Sequence, residues 1–197
     1  MGGGKKNLKK GATAVFLDES GFSLTPHVVR TWAPKDVVPV LIHSGNSKRK
    51  ISAISGIATR FKRKSFQSNM YFRLHPNKTI RENEIIDFLR QLLQRIRGKI
   101  IVIWDNLRAH YSNKVKTFVE RQTRIQTIQL PPYCPELNPD EGVWNWSKTK
   151  ELSNVCVDEI DEMVSRTRGA LKKMQRRKNL LSWCLKESEL PWDMSID

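Results

Sequence analysis

Three acidic residues fall where separate elements of the predicted fold begin or end. Asp18 and Asp105 each close a short apolar run, and Glu141 lies just after the proline-rich stretch 130–139. A buried carboxylate at the end of a strand is costly unless it is paired or binds a metal. Three such carboxylates at one edge would repel one another without a cation, and Mg²⁺ prefers oxygen ligands of this kind. Their joint placement therefore indicates a candidate divalent-metal site.

Each acid also has a structural explanation when it is taken alone. Asp18 could begin a turn, and Asp105 could cap the end of a strand. Glu141 follows Asn138 as a candidate N-cap and Pro139 as the first helical residue, a position where the helix dipole favours acids. No single residue decides between the two interpretations, so the metal site rests on the conjunction of all three.

The proline-rich stretch predicts a rigid approach to a helix. Four of ten positions are proline (Pro131, Pro132, Pro135 and Pro139). Proline fixes φ and lowers the entropy of the unfolded loop, so it holds the following segment in one place. We expect a helix from Pro139 to about Leu152. Asp140 competes with Glu141 as a ligand, because one helical position rotates a side chain by about 100° and both cannot face one metal equally.

The rest of the chain predicts strands followed by alternating strands and helices. The β-rich segments before residue 76 are 13–20, 37–44, 51–59 and 65–75, and three successive strands with short turns predict an antiparallel meander. Apolar residues then recur at helical spacing from a capping-box start at Thr79 and Glu82. Further on we expect strands at 99–105 and 124–130, a helix from Ser112 to about Arg121, and a long helix at 157–178; the tail after 178 is ambiguous.

These elements predict an α/β fold, a mixed five-stranded sheet flanked by helices in the order β-β-β-α-β-α-β-α-α. The near-continuous apolar run 99–105 is typical of a central strand that is covered on both faces.

The net charge favours a polyanionic partner. The chain of 197 residues carries 35 Lys and Arg against 20 Asp and Glu, a formal charge of +15. Basic runs occur at 47–50, 60–64 and 172–178. Such a balance favours nucleic acid, since each neutralised phosphate releases counterions.

The cysteines and the hydropathy pattern predict where the protein works. The three cysteines, Cys134, Cys156 and Cys184, form no CxxC pair, so neither a disulfide framework nor a zinc knuckle is indicated. No apolar run approaches the roughly 20 residues that span a bilayer. We expect a cytoplasmic, nucleoid-associated protein with no membrane partner.

Three sequence blocks resemble those of a known family. FLDESGF (16–22), VIWDNLRAH (102–110) and LPPYCPELNPDEGVW (130–144) look like the blocks of the DDE transposases in the mariner-like superfamily, in its bacterial insertion-sequence branch. The likeness runs from about residue 12 to about 152, and the third block is its most specific part. It implies an RNase H-like fold, which agrees with the element order above.

The resemblance also implies roles for the acids. Asp18, Asp105 and Glu141 match the family's metal-binding catalytic triad, which selects Glu141 over Asp140. The triad would clamp two Mg²⁺ ions, with Mn²⁺ as a substitute, and Asp18 would bridge them. The reaction implied is metal-dependent DNA cleavage and strand transfer at transposon ends.

Further residues are candidates for DNA contact or for support of the metals. Asn106 and His110 match the family's second block, although a lone histidine there is more often a plain surface or helix-entry residue. Trp144 should lie on the same side of its helix as Glu141, where packing in the core is favoured over stacking on a DNA base. Lys148 is either a DNA contact or a solvated lysine. The basic run supplies Arg60, Lys62, Arg63 and Lys64 as further candidates.

The domain organisation predicted is a basic, disordered segment at 1–11, an RNase H-like catalytic domain at 12–152 and a helical extension at 153–197. We expect no helix-turn-helix module ahead of the first strand, so a separately encoded DNA-binding part is a candidate partner. A homodimer on transposon and target DNA is also expected from the resemblance.

Two other functions are open at this level. A ribonuclease H or junction resolvase could share the fold, but such enzymes usually use a fourth acid and lack the proline-rich block. A truncated, catalytically silent DNA-binding remnant or regulator would keep its DNA affinity in EDTA and would have no use for Asp105.

Overall fold

A five-stranded mixed sheet forms the centre of the molecule. The computed structural model describes residues 11–43, 49–62 and 65–190, and within them the side chains of 61, 62, 65 and 66 are left undescribed. The strands are β1 (Thr13–Ser23), β2 (Lys50–Lys62), β3 (Ser65–Pro76), β4 (Ile100–Trp104) and β5 (Ile125–Gln129). Their spatial order is β3-β2-β1-β4-β5. β1, β2 and β3 form the antiparallel meander, and β4 and β5 continue the sheet parallel to β1.

Helices cover both faces of this sheet. They are α1 (Glu82–Arg95), α2 (Asn113–Glu120), α3 (Glu141–Trp146), α4 (Ile160–Arg176) and α5 (Lys178–Glu187). A single π-helical turn, Ser147–Glu151, extends α3. The predicted fold class is confirmed, and α5 adds one helix in the tail that the sequence leaves ambiguous. None of the helices in the described ranges is long and apolar enough to cross a membrane.

Strand alternation divides the core into two layers. Ala14 and Phe16 point to one face, where α3, α4 and α5 pack. Val15 and Leu17 point to the other face, under α1 and α2. Because successive side chains of a strand point to opposite faces, β1 contributes to both layers and is buried through most of its length.

Two local predictions are wrong. Residues 37–43 form no strand, and Val38 and Val40 are 82% and 78% exposed. The segment is rich in β-branched residues, but it pairs with no other described strand, and Pro39 lacks the N–H that a ladder needs. Helix α1 begins at Glu82, not at Thr79, and the carboxylate of Glu84 accepts from the backbone N–H of Arg81 at 3.0 Å.

The C-terminal helices share the core of the sheet. Leu171 and Leu185 are fully buried in the layer formed with β1, β2 and β3. Gln175 Nε2 donates to the carbonyl of Met70 at 2.6 Å, and Lys178 Nζ donates to the carbonyl of Ser68 at 3.0 Å. These bonds satisfy carbonyls of the edge strand β3, which would otherwise be open to pairing with another chain. The domain boundary at residue 152 stays a prediction.

Candidate functional site

Asp18 lies in the middle of β1 and is nearly buried. The sequence predicts that Asp18 closes the strand, whereas β1 continues to Ser23. The parallel ladder pairs Phe16 with Ile103, so Asp18 and Asp105 each lie two residues beyond that pair and at the same level of the sheet. The two aspartates thus lie at the same level of neighbouring strands, but among the described residues the close group of ligand atoms joins Asp105 with Glu19 and His110 and does not include Asp18.

Trp144 holds the carboxylate of Asp18 from the side of α3. The indole Nε1 donates to Asp18 Oδ2 at 3.0 Å. Trp144 is itself buried and meets Phe22 edge-on, with ring centroids 6.0 Å apart. The expectation that Trp144 packs in the core is confirmed, and its polar N–H fixes one oxygen of Asp18.

The surroundings of Asp18 disfavour its charged form. Burial raises its pKa to about 8, and repulsion from Glu141 and Glu19 adds to the effect. Within the described part of the chain, the charged groups that act on Asp18 are acids, so its anionic form has no compensating positive side chain there. A cation bound there would supply it.

Asp105 follows β4 and is held by two donors. Its Oδ1 accepts from the backbone N–H of Leu107 at 3.0 Å and from His110 Nδ1 at 3.1 Å. The hydrogen bond from His110 is the main cause that lowers the pKa of Asp105. In contrast to Asp18, its side chain is 49% exposed.

His110 is a buried bridge between Asp105 and Glu19. Its ring stacks on Trp104 with a centroid separation of 4.4 Å and an interplanar angle of 5°. Its Nε2 lies 3.0 Å from Glu19 Oε1, opposite the contact of Nδ1 with Asp105. Burial alone lowers the pKa of His110, but the hydrogen bonds to Asp105 and Glu19 outweigh it and raise the pKa to about 10. His110 is therefore a buried residue and not a surface histidine.

Glu19 is the member of the site that sequence reasoning missed. Among the described residues, the group of three with ligand atoms within 4.8 Å of one another is Glu19, Asp105 and His110. Strand alternation turns Glu19 to the face opposite Asp18, toward His110. The sequence signal for Glu19 is its place beside Asp18 in the motif DES. Its partner His110 lies 91 residues further along the chain, and no sequence pattern links the two.

The loop before α3 is tied to β1 beside Asp18. Asn138 Nδ2 donates to the carbonyl of Leu17 at 3.3 Å, and Asn138 Oδ1 accepts from the N–H of Asp140 at 3.2 Å. The predicted N-cap is shifted by two residues, because Asp140 occupies that place without a side-chain cap bond. Glu141 is the first helical residue and is exposed.

Asp140 turns away from solvent into the protein. Its side chain is fully buried, and its Oδ2 accepts a hydrogen bond from the Ser55 hydroxyl. Burial raises its pKa well above the usual range; the Ser55 bond opposes this, and repulsion from Asp18 and Glu141 adds to it. Asp140 and Glu141 therefore differ in orientation, as the helical rotation between neighbours predicts.

Two candidate contact residues lie around these acids. Asn106 Nδ2 donates to the carbonyl of Leu130 at 2.9 Å, and its Oδ1 accepts from the hydroxyl of Tyr111. Lys148 Nζ donates to Ser20 Oγ at 2.7 Å and lies 5.5 Å from the ring centroid of Phe22. Lys148 thus contacts β1 at Ser20, two residues beyond Asp18.

The basic run is only partly described. Arg60 is exposed, and its Nε donates to the carbonyl of Gly11 at 2.8 Å. The side chain of Lys62 and the residues Arg63 and Lys64 lie outside the described part of the chain.

The donor set fits hard divalent ions. Asp18, Asp105 and Glu141 offer only carboxylate oxygens, the ligands that Mg²⁺ prefers. Burial, and then repulsion from Glu141 and Glu19, raises the pKa of Asp18, and a bound cation would favour its charged form. The residues present are therefore compatible with bound Mg²⁺ or Mn²⁺.

Mixed five-stranded sheets of this order, with helices on both faces, define the RNase H-like α/β class. Comparison with known proteins gives the family: residues 13–164 match the model described as DDE superfamily endonuclease, so the chain belongs to that family.

Solved structures with a similar fold include complexes of the Mos1 mariner transposase. The Mos1 paired-end complex with Mg has a TM-score of 0.62 at 14% identity, covering 94% of this chain and 58% of that one. The Mos1 paired-end complex with Mn has a TM-score of 0.55 at 16% identity, covering 90% and 56%. At such identities the likeness concerns the fold, and this chain spans less than two thirds of those structures.

One curated relative shows sequence similarity over a shorter stretch. The uncharacterised protein y4pE/y4sA of Sinorhizobium fredii (strain NBRC 101917 / NGR234) is 32% identical over 74 residues, which are 38% of this chain and 52% of the relative. The match thus covers about half the length of that protein.

Proposed function

We propose that this chain is the catalytic part of a DDE transposase, of the bacterial insertion-sequence branch, that cleaves DNA and transfers its strands at transposon ends. One observation carries the proposal: buried Asp18 accepts a hydrogen bond from Trp144 of α3, the helix that begins at Glu141, at the level of the sheet where Asp105 follows β4. Carboxylates gathered in this way suit phosphoryl-transfer chemistry that depends on metal ions.

Asp18, Asp105 and Glu141 would hold the divalent metal through their carboxylate oxygens. When bound, a pair of Mg²⁺ or Mn²⁺ ions supplies Lewis-acid stabilisation of the attacking and leaving oxygens in an in-line displacement at phosphorus.

Neighbouring side chains would fix these carboxylates before substrate arrives. Trp144 donates to one oxygen of Asp18, and His110 donates to Asp105. The hydrogen bond from Asn138 to the Leu17 carbonyl joins the loop before Glu141 to β1. Such preorganisation matters because small errors in the position of a reacting group cost large factors in rate.

DNA would be the substrate, as both transposon end and target. The charge of +15 favours it, and Lys148 stands beside the acids at Ser20. Asn106, Arg60, Lys62, Arg63 and Lys64 stay candidate contacts. A homodimer, a separately encoded helix-turn-helix part and a nucleoid-associated location in the cytoplasm belong to the same proposal.

Calorimetric titration with Mn²⁺ tests the proposal without knowledge of the transposon ends. The wild-type chain should bind Mn²⁺, and Asp18→Ala should lose that binding. Glu120→Ala, which removes an exposed acid on α2, is the matched control and should bind as the wild type does. Absence of Mn²⁺ binding by the wild type even with DNA present, together with DNA affinity unchanged by EDTA, would favour a silent DNA-binding protein.

A further inference from the structure

We propose that Asp140, held by Ser55, is a positioning residue that sets Glu141 relative to Asp18, and is not itself a metal ligand. The inference rests on the proposed function and adds a role for a buried acid that the metal site leaves unused.

Ser55 is placed beside Asp18 by the strand register. The antiparallel ladder of β1 and β2 pairs Asp18 directly with Ser55. Directly opposed residues point to the same face of a sheet, with Cα atoms about 4.5–5.5 Å apart. Ser55 is fully buried, so its hydroxyl needs a partner within the protein. That partner is Asp140 Oδ2.

Asp140 transmits this contact to Glu141, the next residue in the chain. The start of α3 has no side-chain cap bond of its own. Two side-chain bonds at residues 138–140 tie it to the sheet, one from Asn138 to the Leu17 carbonyl and one from Ser55 to Asp140, and they precede the bond from Trp144 to Asp18 by one helical turn. Both partners on the sheet adjoin Asp18, one along β1 and one across the ladder. The two bonds therefore fix the position of the Glu141 backbone relative to Asp18.

Stability alone does not account for an aspartate at this position. Asp140 Oδ1 is buried and has no hydrogen-bond partner within the described part of the chain. A buried polar atom without a partner destabilises a fold, and apolar residues of similar shape commonly replace buried polar pairs at no cost. What aspartate adds at this position is the hydrogen bond from Ser55, which ties the start of α3 to the sheet.

The test separates packing from positioning by making the pair apolar. In Ser55→Ala/Asp140→Leu, leucine keeps the branching of aspartate, the loss of the Ser55 hydroxyl gives room to its larger methyl groups, and the pair leaves no buried polar side-chain atom unpaired. We expect a melting temperature at or above that of the wild type without metal. We also expect Mn²⁺ affinity about 10-fold weaker and kcat for DNA nicking about 100-fold lower, with KM for DNA unchanged. Asp140→Asn, which can still accept from Ser55, should stay within a few-fold of the wild type.

A buried pair of hydroxyls elsewhere in the sheet is the control. Ser68 Oγ donates to Thr59 Oγ1 at 3.3 Å between β3 and β2. Thr59 lies four residues from Ser55, about 13 Å along the strand. Thr59→Val/Ser68→Ala should shift the melting temperature without changing Mn²⁺ affinity or kcat.

Three results would overturn the proposal. If the apolar pair has wild-type Mn²⁺ affinity and kcat, then Ser55 and Asp140 only pack. If Asp140→Asn loses Mn²⁺ binding as completely as Asp18→Ala, then Asp140 is a ligand. If the wild type neither binds Mn²⁺ nor nicks DNA, the proposed function fails first, and this failure is distinguishable because it is seen before any variant is made.

Discussion

The two aspartates of the candidate site lie in opposite electrostatic surroundings. Asp18 is buried among acids and its pKa is raised to about 8, whereas Asp105 is half-exposed and the bond from His110 lowers its pKa. Among the described residues, His110 provides Asp105 with a positive partner, whereas the charged neighbours that shift the pKa of Asp18 are the acids Glu141 and Glu19. A metal ion would therefore compensate the Asp18 side of the site most strongly. Two aspartates at the same level of the sheet therefore differ in burial and in the direction in which their pKa is shifted.

Neutralising either aspartate should cause the largest loss of nicking activity, and the two variants should differ clearly in their stability without metal. We expect Asp18→Asn and Asp105→Asn to lower nicking activity by about 10³-fold or more, because each removes a carboxylate ligand. Stability without metal should move in opposite directions at pH 8.5. Asp18→Asn should raise the melting temperature, since it removes a buried charge. Asp105→Asn should lower the stability by about 1 kcal/mol, since it weakens a charge-assisted bond that solvent partly screens.

Nicking assays with Mg²⁺ and thermal melts in EDTA measure these changes. Glu120→Ala is the control for both. Equal shifts of the melting temperature in the two aspartate variants would contradict the contrast between the two surroundings.

Asp140 and Glu141 at the start of α3 give a second comparison between a buried acid and an exposed one. Glu141→Ala should lose about 10³-fold or more in nicking, whereas Asp140→Ala should lose about 100-fold, because the first removes a ligand and the second only displaces it. Side-by-side single-turnover nicking gives the order. A larger loss of nicking in Asp140→Ala than in Glu141→Ala would make Asp140 the ligand and Glu141 the positioning residue.

DNA affinity should depend on charge and not on the metal carboxylates. We expect log K for DNA to fall steeply with log salt, with similar slopes for the wild type and Asp105→Ala. Fluorescence anisotropy at several salt concentrations measures the slope. A flat plot would contradict the assignment of a polyanionic partner.

A pH dependence of stability without metal tests the surroundings of Asp18 directly. The folded pKa of Asp18, about 8, lies above the usual value near 4, so the folded state binds more protons than the unfolded state between these values. The contribution of Asp18 is therefore fully present below about pH 4 and is lost as pH rises toward 8. Melts of the wild type in EDTA should fall more across this range than those of Asp18→Asn. Parallel curves would contradict the raised pKa.

Much of the fold follows from periodicity. The apolar run at 99–105 predicts β4, and Ser112 is the N-cap of α2 as expected, accepting from the N–H of Val115 at 3.3 Å. The segment 37–44 has the composition of a strand but finds no neighbour in its described part. Propensity indicates what a segment tolerates, and pairing decides whether it becomes a strand.

The sequence by itself determined the element order, the basic charge and the three acids, because apolar periodicity and residue type are local properties of the chain. Only the tertiary structure decided which groups meet. It placed Glu19 on His110 across 91 residues and Asp140 on Ser55 across 85. Those contacts depend on strand order, register and the direction of each side chain, which are fixed when the two layers of the core pack against the sheet. A buried carboxylate and an exposed one are therefore the same letter in the sequence, and the fold makes them chemically different.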